Sequence, residues 1–131
     1  MNRIVEALKK TKVFYIATVD ESGAPQVRPF GSVTEYEGGI YLCTNNTKAV
    51  YREIMHQPKI ALCGMDGGTW LRVTGTAVRV DSDDARRAML ADPTGPSGLY
   101  TVGDGIFEVF RIDDARAVLY SFEAAPVVIE P

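Results

Sequence analysis

The sequence predicts a mainly β protein: a small antiparallel barrel with helices at its ends, folded as a single domain. Three observations predict it. Runs rich in β-branched and aromatic residues, such as KVFYIATVD (12–20) and TWLRVTGTAVRVD (69–81), outnumber the stretches of helical period. Short loops rich in Gly, Pro, Asp and Asn separate them. Strands and helices do not alternate regularly, which disfavours a parallel doubly wound sheet. At 131 residues the chain has the usual size of one domain and is long enough to bury one core.

The elements follow in order. Residues 2–10 form a short amphipathic helix with Ile4, Val5 and Leu8 on one face and Lys9 and Lys10 at the negative end of its dipole. Residues 12–20 are a strand, DESGAP (20–25) is a turn, and 26–34 run back as the second half of a hairpin. EYEGG (35–39) is a second turn, before a strand at 39–44. At 45–58 the period changes: Val50 and Ile54 are four apart, as are Tyr51 and Met55, so this is a helix. Asn45, Asn46 or Thr47 is expected to cap it and Pro58 to stop it. Strands at 59–65 and 69–81 flank a Gly67–Gly68 turn, with Gly75 as a bulge or bend. Ser82 or Asp81 caps a helix to about Leu90, and 91–98 is a loop. Two further strands are expected at 106–112, which alternates strictly, and at 115–122. The tail adds a strand or covers a partner.

Charge and composition exclude several function classes. The net charge is −3, so bulk electrostatics does not favour nucleic acid or an anionic membrane. The charge is uneven: residues 1–60 carry +2 and residues 61–131 carry −5, so an anion site would draw on the first half. No segment has the apolar length of a membrane span, and the N-terminus does not read as a signal peptide. Cys43 and Cys63 lie in apolar runs without metal spacing, which suggests buried reduced thiols in a cytoplasmic protein.

Phosphate loops, nucleophile elbows and metal spacings are absent. The single histidine, His56, ends the second helix, where a favourable interaction with the dipole is the simplest reading and axial ligation of haem the sharper one. What remains is a candidate anion site. TNNTKAV (44–50) puts polar side chains, free backbone N–H groups and Lys48 at a helix start. Arg28 lies in an apolar strand with no carboxylate close in sequence, so it either reaches water or meets an anion. Pro29 removes a ladder donor beside it, as an edge strand or a ligand-lined break in the sheet would allow. Trp70 is either a core or interface aromatic or a platform for a planar ligand.

In order, IATVDESGAP, VRPFG, IYLCTNNTKAV and ALCGMDGGTWLRVTGTA resemble the flavin-mononucleotide-binding split barrels related to pyridoxamine 5′-phosphate oxidase. The resemblance implies an antiparallel Greek-key split β-barrel over residues 1–131 and an FMN-dependent oxidoreductase acting on a small electron donor or acceptor. FAD, a deazaflavin or haem is a less favoured cofactor. It implies that Arg28 meets the nucleotide's phosphate end, that Pro29, Phe30 and Gly31 follow the cofactor, and that Cys43 and Thr44 end the strand before the phosphate loop. Thr47 and Lys48 would hold the phosphate, Thr47 standing where the family often has arginine. Trp70 replaces a glutamine that often contacts the flavin. It also implies a homodimer with flavin at the subunit interface. No catalytic residue is assigned, and the acidic, apolar C-terminus lacks that oxidase's Arg/His-rich substrate site. A non-catalytic flavin- or haem-binding module on the same fold is the alternative.

Overall fold

The computed structural model describes Met1–Pro131. Helix α1 (Arg3–Thr11) begins where the Asn2 side chain accepts from the amides of Ile4 and Val5, at 3.0 and 3.2 Å. Its buried face, Ile4, Val5 and Leu8, joins the barrel core. Strands β1 (Phe14–Val19) and β2 (Pro25–Phe30) form a hairpin, closed by Asp20 accepting from Ser22 and Ala24. Next come β3 (Thr34–Tyr36), β4 (Gly39–Asn45), α2 (Ala49–His56), β5 (Lys59–Asp66) and β6 (Thr69–Val80). The chain ends with α3 (Asp83–Ala91), β7 (Phe107–Ser121) and β8 (Val127–Ile129). Ser82 caps α3 through the Ala85 amide, as its sequence predicts.

The strands form one antiparallel sheet in the order β2-β1-β5-β6-β7-β4-β3, with β8 added to the second half of β7. The first half of β7 pairs with β4, and β6 runs beside it along most of both lengths. These two long strands belong to both halves of the barrel. At their bend the register shifts between Thr74 and Thr76, the bulge expected at Gly75. A Cβ at Gly75 would stand 2.6 Å from Ile112 Cγ2, so only glycine passes the crossing strand. The barrel core holds Phe14, Ile16, Leu62, Leu71 and Phe110, with Val50 and Ile54 from α2. A smaller cluster packs Ala85 and Met89 of α3 on Phe107 and Val109. This explains why both faces of the alternating segment 107–112 are covered.

The structure departs from the sequence expectations in four places. The strand predicted over 26–34 ends at Phe30, and β3 arises where a turn was expected. Glu37 and Gly38 both have positive φ, so two residues complete the reversal and Thr34–Tyr36 are free to pair with β4. The two strands predicted at 106–112 and 115–122 are one, because Asp114 takes a φ of 52° and turns the chain without breaking the ladder. None of Asn45, Asn46 and Thr47 caps α2; Lys48 holds that position and makes no side-chain cap bond. Both cysteines are free, as expected, but Cys63 is exposed rather than buried: it pairs across the ladder with Tyr15 and Arg72, and all three side chains are exposed on the sheet's outer face.

The loop after α3 is tied down at several points. Asp92 accepts from Lys9 Nζ at 2.7 Å and Thr34 Oγ1 at 2.8 Å. Burial pushes the Asp92 carboxyl up, but these bonds and those from Thr94 outweigh it and hold it below the usual carboxylate range. Gly95 lies so close to α3 that a Cβ there would stand 2.0 Å from the Met89 carbonyl oxygen.

Candidate functional site

Where β2 ends, the chain leaves the sheet through Gly31–Val33. Ser32 Oγ donates to the Thr94 carbonyl at 2.7 Å, and the Val33 amide donates to Thr94 Oγ1 at 3.0 Å. The post-α3 loop is thereby drawn against the ends of β2 and β4. Between them lies a cleft of about 170 Å³, lined by Pro29, Phe30, Gly31, Ser32, Cys43, Thr44, Lys48, Pro96, Leu99 and Tyr100.

Six of the residues singled out in the sequence meet there: Pro29, Phe30, Gly31, Cys43, Thr44 and Lys48. Thr47 lies beside it, its amide and hydroxyl both turned to Asn45 Oδ1, at 3.0 and 2.5 Å. Asn46 is used elsewhere, donating to the Gly105 carbonyl at 2.9 Å and to the buried Glu108 carboxylate at 3.0 Å. The turn before α2 is therefore braced by its own side chains. Because none of them caps α2, the first-turn amides of the helix have no side-chain partner.

Lys48 is the one cation among the lining residues, and no carboxylate lines the cleft. The positive end of the α2 dipole adds to the same sign. Cys43 is no nucleophile here. Burial pushes its thiol up to about 12, the Ser32 hydrogen bond and the Lys48 charge opposing this without offsetting it. Pro29 lies on an edge strand, since β2 pairs only with β1, so its missing N–H breaks no ladder. It also stands opposite Tyr15 on the outer face, so the cleft opens at the margin of that face.

Three further residues that the sequence singled out lie outside the cleft of the single chain. Arg28 does have a carboxylate, one that is remote in sequence: its Nη2 lies 2.5 Å from Glu53 Oε1, and its Nη1 donates to Thr18 Oγ1 at 2.6 Å. Thr18 donates in turn to Glu53 at 2.6 Å. Arg28 is not among the cleft residues, because the β2 pleat that turns Pro29 outward turns Arg28 toward α2. Trp70 is also outside the cleft; it stacks on Tyr120 at 5.9 Å and meets Phe122 at 4.9 Å. His56 is exposed at the end of α2 and does not line the cleft either. The sequence reasoning missed Ser32, Pro96, Leu99 and Tyr100. ADPTGPSG announces a loop, but nothing in it says which strand ends it will cover.

The family model described as pyridoxamine 5′-phosphate oxidase matches residues 1–113. The chain belongs to the pyridoxamine 5′-phosphate oxidase family. The mainly β sheet with three helices fits its split-barrel fold. A NimC/NimA family protein from Clostridium acetobutylicum is similar at 35% identity and a TM-score of 0.89, over 97% of this chain and 91% of that one. A haem-binding protein from Mycobacterium smegmatis is similar at 17% identity and TM-score 0.72, over 95% of this chain and 57% of its own. A pyridoxamine 5′-phosphate oxidase-related, FMN-binding protein from Nostoc punctiforme reaches 17% and 0.65, over 97% and 91%. At that identity the last two share the fold alone. Among curated proteins no match is found. No helix is long and apolar enough to cross a membrane.

Proposed function

We propose that this family member binds FMN in the cleft between the ends of β2 and β4 and acts as a flavin-dependent oxidoreductase on a small molecule. The observation that carries the reading is the convergence of Lys48, the uncapped start of α2 and the Pro29–Gly31 segment on one cleft free of carboxylates. The donor set fits a phosphate: a cation, helix-terminal amides and the Thr44 hydroxyl, with no negative charge to repel it. A bound flavin would supply the redox chemistry. The chain's own part is to bind and orient. Lys48 neutralises the anion, the Pro29–Gly31 segment offers an extended wall, and the protonated Cys43 adds an uncharged, unreactive surface.

The cleft is smaller than the roughly 300–1,000 Å³ of a typical cofactor pocket, so one chain encloses only part of the ligand. We propose that a second copy of this chain completes it by docking on the outer sheet face. Val27 is 68% exposed, Met65 59% and Tyr15 50%, with Cys63 between them, and Pro29 joins this face to the cleft. A Val27→Glu, Met65→Glu double variant is expected to sediment as a monomer where the wild type is a dimer, and to bind FMN more weakly. A wild-type monomer, or a variant dimer, would contradict the proposal.

The functional test is titration of the cofactor-free protein with FMN and, separately, with haem. FMN binding followed by its reduction with NADH or NADPH and reoxidation by quinones or nitroaromatics supports the enzyme. FMN binding without turnover supports the non-catalytic module. Haem binding alone overturns the flavin reading.

A further inference from the structure

One hydrogen-bond donor beside the cleft is unused. The Tyr100 ring stacks on Phe107, with centroids 5.1 Å apart, and its oxygen lies 2.6 Å from Asn45 Nδ2. The direction of that bond is fixed. Asn45 Oδ1 receives the Thr47 backbone N–H at 3.0 Å, and an amide N–H can only donate. The Asn45 nitrogen therefore faces Tyr100 and donates to it, so the phenol oxygen is the acceptor. Its own proton finds no acceptor in the chain, and Tyr100 lines the cleft.

The ligand end that this proton meets follows from the same bonds. Asn45 holds Tyr100 with one end of its amide and Thr47 with the other, and Lys48 comes next. The phenol is thus anchored on the turn that carries the cleft's one cation. Arg28, a second cation that the sequence offered, is committed to Glu53. A phosphate held there by one ammonium group still has acceptor oxygens to satisfy with neutral donors.

We infer that Tyr100 donates its phenol proton to a phosphate oxygen of the bound flavin nucleotide, and that it selects the phosphorylated flavin over riboflavin. The inference rests on the flavin reading above. A hydrogen bond to a charged oxygen is worth more than a neutral one, and its loss corresponds to about tenfold or more in affinity.

The test compares FMN and riboflavin affinities for wild type and Tyr100→Phe, read by quenching of flavin fluorescence. Phenylalanine keeps the stack on Phe107, and an unchanged unfolding midpoint verifies that the fold is kept. The expected result is about a tenfold loss for FMN with riboflavin affinity unchanged. Equal losses for both ligands would make Tyr100 a packing residue only, and undiminished FMN affinity would remove its hydrogen bond; either overturns the inference and leaves the flavin reading standing. A wild type that binds neither ligand overturns both.

Discussion

Lys48→Ala is expected to weaken FMN binding roughly 10- to 100-fold, the range for removing a charged hydrogen-bonding group from an anion. No carboxylate in the cleft holds the Lys48 ammonium, and no other lining residue is cationic, so nothing nearby replaces it. The fold should be indifferent. Lys48 is exposed and its side chain makes no cap bond to α2, so truncation leaves no buried group unpaired. Flavin titration and thermal unfolding of the same variant check both halves. Lost affinity at an unchanged midpoint is the expected pair. Lys48→Arg should recover part of the affinity, since a guanidinium also pairs with phosphate but with a different reach.

Glu53→Ala is expected to have the opposite signature: a loss of about 3 kcal/mol of stability, and no specific loss of phosphate recognition. Glu53 is buried where α2 meets β1 and β2, and its Oε1 receives both Arg28 and Thr18. Removing the carboxylate leaves a guanidinium in a partly buried position with no counter-charge, among the costlier single changes a protein can suffer. Arg28→Ala should destabilise for the mirror reason, by leaving the carboxylate with Thr18 alone. An Arg28→Met, Glu53→Gln double variant removes both charges and is expected to regain much of the loss. Urea unfolding of the four proteins measures it. A stable Arg28→Ala variant that binds FMN poorly would return Arg28 to the phosphate.

These two lysine and arginine predictions mark how far the sequence could be read. Periodicity gave the helices and most strands, since amphipathic faces and β-branched runs are local signals. The family resemblance, not periodicity, implied one site holding Arg28, Pro29–Gly31, Cys43, Thr44, Thr47, Lys48 and Trp70, and the fold brings six of those residues to one cleft. What was hidden depended on long-range pairing. Arg28 looked unpartnered because Glu53 lies 25 residues away, on a helix that only the folded barrel sets against β2. The cleft wall at Pro96–Tyr100 was hidden likewise, since Thr94 is bonded to Ser32 and Val33, about sixty residues earlier. The division of β7 into strands at 106–112 and 115–122 failed for a local reason: one positive φ at Asp114, opposite a bulge, lets a single strand continue.

The polar surroundings of the cleft are organised as a brace. Asn45 links Thr47 to Tyr100, and Asn46 links the same turn to Glu108, which Arg79 holds from β6 at 2.9 Å. The turn that precedes α2 is thus fixed from both sides before any ligand arrives. Such preorganisation lowers the ordering cost of binding.

The central claim is that the cleft between Pro29–Ser32, Cys43–Lys48 and Pro96–Tyr100 is a flavin nucleotide site. The most direct measurement is the absorbance spectrum of the protein saturated with FMN and freed of excess, for wild type and Lys48→Ala. The account predicts a bound flavin spectrum at one FMN per chain in the wild type and a much reduced occupancy in the variant. A wild type that retains no flavin, or a variant that retains as much, would contradict it.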